Sequence, residues 1–257
     1  MPDLAADLLV PLPTRGRTFS ASRLARFGDL SPGGRLRLDA LARYCQDVSS
    51  DDTADARLAN DTAWVVRRTA VEFHRSPGFR EPLRLTTFCS GTGGRWAERR
   101  VSIVGPEGAS IEAVSLWVHL DADTGRPVTL PPDFHACYDE AAAGRTVSAR
   151  LQHDTAIPIV AAREPWALRL ADFDLLGHVN NAATWSMVEE TLVRRPDLRP
   201  PFRAELEYRS AIERGTEVDL VTSDDDGTLG LWIVERQSDP AQAAEVVATA
   251  RVRALTD

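Results

Sequence analysis

The sequence predicts an α+β protein built from two copies of one unit, each a curved antiparallel sheet wrapped around a long helix. Two stretches resemble each other, VEFHRSPGFREPLRL from Val71 and LEYRSAIERGTEVDL from Leu206, and each is followed by two further strand-like segments. A stretch with helical periodicity precedes each of them. A sheet that must bury one face can do so against a helix laid across it, so the repeat predicts two sheet-and-helix units in one chain.

In the first unit, a short strand and a turn (SRLARFGDLSPGG) lead into the helical stretch LRLDALARYCQDVSS. The apolar residues of this stretch follow the i, i+3, i+4, i+7 spacing of one buried helical stripe: Leu38, Leu41, Ala42 and Cys45. After the Val71 segment, GRWAERRVSIVG and GASIEAVSLWVHLD alternate apolar and polar residues. These segments predict an antiparallel meander that follows the helix.

The second unit has the same order. WALRLADFDLLGH leads into the helical stretch NNAATWSMVEETLV, whose apolar stripe is interrupted by the carboxylate of Glu189. The members of that stripe are Ala182, Trp185, Val188 and Leu192. The strand-like segments GTLGLWIVERQS and AAEVVATARVRAL complete a second meander after the Leu206 segment.

The same patterns divide the chain. We expect a flexible arm over residues 1–16, a first unit over 17–130, a linker with a short helix over 131–164 and a second unit over 165–257. Two such units can pair within one chain as two protomers pair in a dimer.

Composition excludes several classes of protein. The net charge of −8 opposes generic binding to nucleic acid, and no apolar run approaches the roughly 20 residues that span a membrane. The three cysteines, Cys45, Cys89 and Cys137, are far apart, which argues against a disulfide framework and a zinc module. A cytoplasmic protein without a metal or cofactor is the expectation.

The most informative stretch is DFDLLGHVNN, residues 172–181, where polar groups surround one glycine turn at the start of a helix. Asp174 could attack an acyl carbon or activate a water, and His178 could orient that water or exchange its proton. The free N–H groups of the helix start, around Val179 to Asn181, would polarise a carbonyl oxygen. The competing structural interpretation makes Asn180 or Asn181 a helix cap and Asp174 a turn residue.

DFDLLGHVNNAATW resembles the signature of hotdog thioesterases. TAWVVRRTAVEFHRSP, CSGTGGRWAERRVSIVG and SLWVHLDADTGRPVTLPPDF resemble the first half of acyl-acyl-carrier-protein thioesterases, and LEYR at Leu206 resembles their second half. The resemblance covers about Phe19 to Leu255. It implies a double hotdog that hydrolyses fatty acyl thioesters on acyl carrier protein in fatty acid biosynthesis, with Asp174, His178, Asn180 and Asn181 gathered in the second unit.

Two departures from the family pattern bear on the chemistry. Leu176 stands where the family has Asn, and Ser210, Ala211 and Ile212 stand where plant-type members have an Arg-Glu-Cys run. Glu213 could replace the missing Glu only if a bulge or a register shift turned it inward. The sequence therefore predicts weakened or differently organised catalysis.

The resemblance also assigns the acyl pocket to the first unit. There Asp29 stands much as Asp174 does, but no histidine follows it, so this copy is expected to be catalytically silent. The substrate-binding candidates are Trp64, Trp96 and Val179. The alternative for both tryptophans is a purely structural role in core packing.

Acyl carrier protein, or coenzyme A, is the expected thioester carrier, with no nucleic-acid or membrane partner and with a homodimer left open. Three arginines are predicted to receive the acidic carrier protein: Arg95, Arg99 and Arg100. The alternative for this group is a solvated strand face.

Other functions remain open at this stage. An Asp and a His four residues apart also suit a hotdog hydratase or dehydratase, which moves a proton next to a thioester. The missing Asn and Glu favour a non-catalytic protein that binds acyl thioesters. A generic surface-binding module would bind no acyl group.

Overall fold

A computed structural model of the protein describes residues 9–58, 62–236 and 244–255, which form ten strands and three helices. The strands are β1 (Phe19–Leu24), β2 (Thr62–Arg75), β3 (Pro82–Thr92), β4 (Trp96–Val104), β5 (Ser110–Asp121), β6 (Ala162–Trp166), β7 (Phe202–Tyr208), β8 (Val218–Asp225), β9 (Thr228–Glu235) and β10 (Glu245–Ala254). The helices are α1 (Leu38–Asp55), α2 (Pro132–Ala142) and α3 (Asn181–Leu192). The α+β prediction is confirmed, and both predicted central helices are present.

The strands form one antiparallel sheet in the order β1-β3-β4-β5-β2-β7-β10-β9-β8-β6. The first five strands of this order belong to the first repeat and the last five to the second. The two predicted sheets are joined because β2 and β7 pair from Arg68 opposite Glu207 to Phe73 opposite Phe202. These two strands carry the repeated segments, so the repeat forms the seam of a ten-stranded sheet.

The central helices pack against each other and against the sheet in one apolar core. The stripes predicted from the sequence supply this core: Leu38, Leu41 and Cys45 are buried on α1, and Trp185 and Val188 on α3. Because both helices contribute to the same core, the two units pack against each other and are not independent domains.

The segment between the units carries α2, which packs on β3. Further along, the carboxylate of Glu207 on β7 accepts hydrogen bonds from the backbone N–H groups of Gln152 (2.6 Å) and His153 (3.0 Å). Residues 1–8 of the predicted arm lie outside the described residues, and the carbonyl of Val10 accepts a hydrogen bond from Arg100 (3.1 Å). In the described ranges, no helix has the length and apolarity that crossing a membrane requires.

Candidate active site

The segment before α3 is a hairpin closed on itself by backbone hydrogen bonds. Phe173 and Val179 form an antiparallel bridge, and the N–H of Asp174 donates to the carbonyl of His178 (2.9 Å). Gly177 turns the chain with φ +81°, a left-handed conformation that glycine adopts without strain. One tight turn thus brings the carboxylate-bearing and imidazole-bearing residues together ahead of the helix.

Asp174 is half-buried and has one carboxylate oxygen engaged. Its Oδ1 accepts a hydrogen bond from the N–H of Leu176 (2.9 Å), which is the Asx turn of the structural interpretation. Its Oδ2 makes no hydrogen bond within the described residues. Because the backbone anchors one oxygen, the other stays available for chemistry. Both roles considered for Asp174 are therefore compatible in one geometry.

Glu213 lies directly opposite His178 in an isolated antiparallel bridge. The N–H of Val179 donates to the carbonyl of Ile212 (2.9 Å), which makes this a close, non-hydrogen-bonded pair with Cα atoms about 4.5 Å apart. Side chains of such a pair lie on the same face. Glu213 follows the end of β7 at Tyr208, so it is released from the alternation of that strand. The backbone thus places Glu213 opposite His178, but the Glu213 side chain is exposed and is not joined to the imidazole by a hydrogen bond or ion pair in the described residues.

The start of α3 offers fewer free donors than the sequence predicts. The N–H of Val179 is taken by Ile212, and that of Asn180 donates to the carbonyl of Asp172 (2.8 Å). Asn180 is the helix cap, since its Oδ1 accepts from the N–H of Ala182 (2.8 Å). The prediction that N–H groups from Val179 to Asn181 polarise a carbonyl is therefore wrong for its first two members.

Asn181 keeps its donors. Neither its backbone N–H nor its side chain hydrogen-bonds within the described residues, while its carbonyl accepts from the hydroxyl of Tyr208 (2.9 Å). Burial raises the pKa of Tyr208 above its ordinary value, so this hydroxyl stays protonated and keeps the first turn of α3 in place. The helix start therefore presents one backbone donor and one carboxamide.

A cavity of about 480 Å³ lies in the first unit, between α1, α2 and the sheet. Its size is typical of small-ligand pockets, which run from roughly 300 to 1,000 Å³. A narrow gap at the start of α3 shares two lining residues, Gln46 and Trp117, with this cavity. The gap is also lined by Asn181, Trp185 and Tyr208, so Gln46 and Trp117 stand between the helix start and the cavity.

Of the predicted pocket residues, only Trp64 lines the cavity. Trp96 instead donates its indole N–H to the carbonyl of Val147 (2.8 Å), and Val179 is buried in the common core, so neither belongs to the pocket walls. The sequence reasoning missed four aromatic or imidazole walls: Trp117, His119, Phe134 and Tyr138. Trp117 and His119 are two residues apart on β5 and therefore share one face of the sheet. Phe134 and Tyr138 are four residues apart on α2 and therefore share one face of that helix. Both spacings can be recognised in the sequence.

The arginines predicted to receive a carrier protein are mostly interior, which corrects that prediction. Arg99 is bonded to Asp52 and Tyr138, and although burial opposes its charge, these two neighbours raise its pKa. Arg100 is 5% exposed and paired with Glu112 (2.9 Å). Only Arg95 of the three is exposed.

The equivalent turn of the first unit corrects the placement of Asp29. Residues 29, 34 and 37 repeat the backbone bonds of residues 172, 177 and 180: the N–H of Arg37 donates to the carbonyl of Asp29 (2.9 Å), and Gly34 has φ +80°. Asp29 therefore corresponds to Asp172 and not to Asp174. Ser31 and Arg35 hold the positions of Asp174 and His178, which supports a silent first unit.

Solved structures share this architecture. A structure described as an oleoyl thioesterase from Lactobacillus plantarum matches with a TM-score of 0.75 and 20% sequence identity. The match covers 96% of this chain and 99% of the Lactobacillus chain. The 12:0-ACP thioesterase from Umbellularia californica has a TM-score of 0.74 and 19% identity, covering 93% and 97%. This likeness establishes the fold class, a tandem hotdog with ten strands and three helices in the described residues.

Sequence comparisons identify the family. The acyl-ACP thioesterase N-terminal domain matches residues 16–138, and the acyl-ACP thioesterase C-terminal domain matches residues 160–248. An uncharacterized protein from Mycobacterium tuberculosis is 32% identical over 208 residues, which are 80% of this chain and 83% of that protein. The chain belongs to the acyl-ACP thioesterase family and is a thioester hydrolase.

Proposed function

We propose that the chain hydrolyses acyl-acyl-carrier-protein thioesters at the start of α3, with the acyl chain held in the cavity of the first unit. The observation that carries this proposal is the gap beside Asn181, which shares Gln46 and Trp117 with the cavity. We propose that the acyl chain of a thioester at the helix start passes Gln46 and Trp117 to reach the cavity. The family membership supports the same reaction.

The proposed chemistry uses groups of the second unit. Through its free Oδ2, Asp174 takes a proton from the water that attacks the acyl carbon, or attacks that carbon itself to form a mixed anhydride that a water then hydrolyses. The N–H of Asn181 polarises the thioester carbonyl, the C–S bond breaks, and the thiol leaves with a proton supplied through His178. Glu213, whose backbone bridges to that of His178, is proposed to orient the imidazole.

The carrier is proposed to be acyl carrier protein, released together with a free fatty acid in fatty acid biosynthesis in the cytoplasm. Coenzyme A has the same pantetheine arm and would meet the same helix start. The protein surface, not the pantetheine, must separate the two carriers. Arg95 is the exposed member of the predicted arginine group and is a contact candidate for the acidic carrier protein.

Asp174→Asn tests the proposed chemistry. The variant keeps an oxygen for the Leu176 N–H but loses the charge, so kcat is expected to fall by at least about 10²-fold with the fold unchanged. The measurement is thiol release from two series of substrates of increasing acyl length, the thioesters of acyl carrier protein and those of coenzyme A. Asp154→Asn is the matched control, because Asp154 accepts from the N–H of Ala156 (2.9 Å) in the same type of turn.

Wild-type turnover by folded Asp174→Asn would contradict the proposed role of this carboxylate. Saturable acyl binding without turnover by the unaltered chain would instead favour the binding-protein alternative. Conversion of an enoyl or hydroxyacyl thioester, with no thiol released, would favour the hydratase alternative.

A further inference from the structure

The N-termini of α1 and α3 are related by internal symmetry, because both units repeat the same turn before the helix. Residues 29, 34 and 37 of the first unit take the places of residues 172, 177 and 180 of the second, with matching bridges from Leu30 to Leu36 and from Phe173 to Val179. The same offset matches Leu38 with Asn181 as the first residue of each helix. Since the helices pack against each other, each has a neighbour at its start.

In the first unit, a side chain of α3 occupies the N-terminus of α1. Glu189 of α3 is 4% exposed, and its Oε2 accepts from the N–H of Leu38 (3.0 Å) while its Oε1 accepts from Arg35 (2.5 Å). A carboxylate of the protein itself therefore occupies the place where a carbonyl oxygen would bind. The positive end of α1 is neutralised by this contact.

The symmetry partner of Glu189 on α1 is Gln46. Gln46 lines the gap beside Asn181 and also the acyl cavity, so it lies where the two spaces meet. Its carboxamide has no hydrogen-bond partner in the described parts of the chain. The active unit therefore has a neutral donor and acceptor where the silent unit has a bound carboxylate.

We propose that Gln46 is a substrate-contacting residue whose carboxamide N–H donates to the thioester carbonyl, beside the N–H of Asn181. This deepens the proposed function and rests on it for the nature of the substrate. A carboxylate at position 46 would compete for the N–H of Asn181, as Glu189 does for Leu38, and would repel the charge that develops on the carbonyl oxygen. The catalytic centre of the second unit thus includes a residue of the first.

Gln46→Glu and Gln46→Ala test this role in the full chain, with thiol release from acyl carrier protein as the readout. Removal of one donor to a developing oxyanion typically costs about 10²- to 10³-fold in kcat, and a loss in this range is expected for both variants. Gln152→Glu is the control for the same chemical change, since Gln152 is exposed and lies in the segment between the units. Folded variants that retain wild-type kcat would overturn the proposal.

Binding separates this proposal from the proposed function. Two pantetheine probes are compared: one whose thioester is replaced by an amide, which keeps the carbonyl, and one with a methylene in place of that carbonyl. Gln46→Ala should weaken binding of the amide at least about tenfold and leave the methylene probe unchanged. Equal effects on both probes would overturn the carbonyl contact even if the enzyme is active. Carbonyl-dependent binding without hydrolysis would support Gln46 and contradict the hydrolase.

Discussion

Two aspartates that stand two residues apart before α3 have different roles because of what each side chain already binds. Asp172 is 4% exposed and is held by the backbone N–H of Arg169 (2.7 Å) and by the guanidinium of Arg169 (2.7 Å). Asp174 has one anchored oxygen and one without a partner in the described residues. Asp172 therefore stabilises the turn, and Asp174 is the aspartate to which we assign the proposed chemistry.

His178 and Glu213 are expected to act as a coupled pair. His178→Ala should lower kcat by about 10²-fold, and Glu213→Gln by about tenfold, because the proposed orientation of the imidazole by the Glu213 carboxylate is lost. In the double variant the effect of Glu213→Gln should largely vanish, because its partner is gone. Thiol-release kinetics of the four proteins measure this coupling. Additive losses would show that Glu213 acts independently of His178. Glu217→Gln, a substitution of an exposed residue nearby, is the control.

Leu176→Asn restores the residue that the family has at this position. The side chain of Leu176 is 66% exposed, so the change should alter the free energy of unfolding by no more than about 0.5 kcal/mol. Activity should be preserved or raised, because the N–H that anchors Asp174 is unchanged. The measurement is kcat/KM beside thermal unfolding. A folded variant with much lower activity would contradict the proposed site geometry.

Sequence reasoning placed Asp174 and His178 in one turn because both lie in one short segment, where spacing fixes geometry. It matched Asp29 with Asp174 because the residues just before each of them look similar in the sequence. The backbone hydrogen bonds show instead that Asp29 corresponds to Asp172. It also placed Arg99 on the surface, since its partner Asp52 lies on another element. Partners that are distant in sequence cannot be read from local patterns.

At the scale of helices, α1 and α3 satisfy their first turns by different means. Leu38 is held by Glu189 from the neighbouring helix, while α3 is capped by its own Asn180. The sequence predicted both helices from apolar periodicity and noted Glu189 as an interruption of the stripe. Its purpose, a hydrogen bond to the start of α1, became visible only with the packing of the two helices.

Asn180→Ala should destabilise the protein by about 1 kcal/mol, because the N–H of Ala182 loses its cap. Urea unfolding followed by circular dichroism measures the change. Asn181→Ala is the comparison, since that side chain has no cap hydrogen bond in the described residues and should cost less stability. The ranking would be contradicted if Asn181→Ala were the more destabilising of the two.

Across the whole molecule, one continuous sheet and the core shared by α1 and α3 join the first unit, proposed to hold the acyl chain, to the second unit, proposed to carry the chemistry. The seam between β2 and β7 keeps the helices in contact, and this contact brings Gln46 beside Asn181. Hydrophobic alternation predicted the two meanders, but it carries no information on which edge strands meet. The cavity also escaped prediction, because its walls come from α1, α2 and the sheet together.

Ala97→Phe tests the assignment of the acyl chain to the first unit. Ala97 is buried on β4 and lines the cavity, so a larger side chain should shorten the space available to the chain. The preferred acyl length is expected to decrease, with kcat on short chains retained. An unchanged preference across an acyl-carrier-protein series would place the acyl chain elsewhere. Thermal unfolding of the variant controls for overpacking.

The most direct test of the division between the two units is a crystal structure with the amide analogue of an acyl pantetheine. The account predicts the amide carbonyl within hydrogen-bond distance of the Asn181 N–H and the acyl chain in the cavity of the first unit, against Trp64 and Phe134. An acyl chain bound within the second unit, or a carbonyl remote from the start of α3, would contradict it.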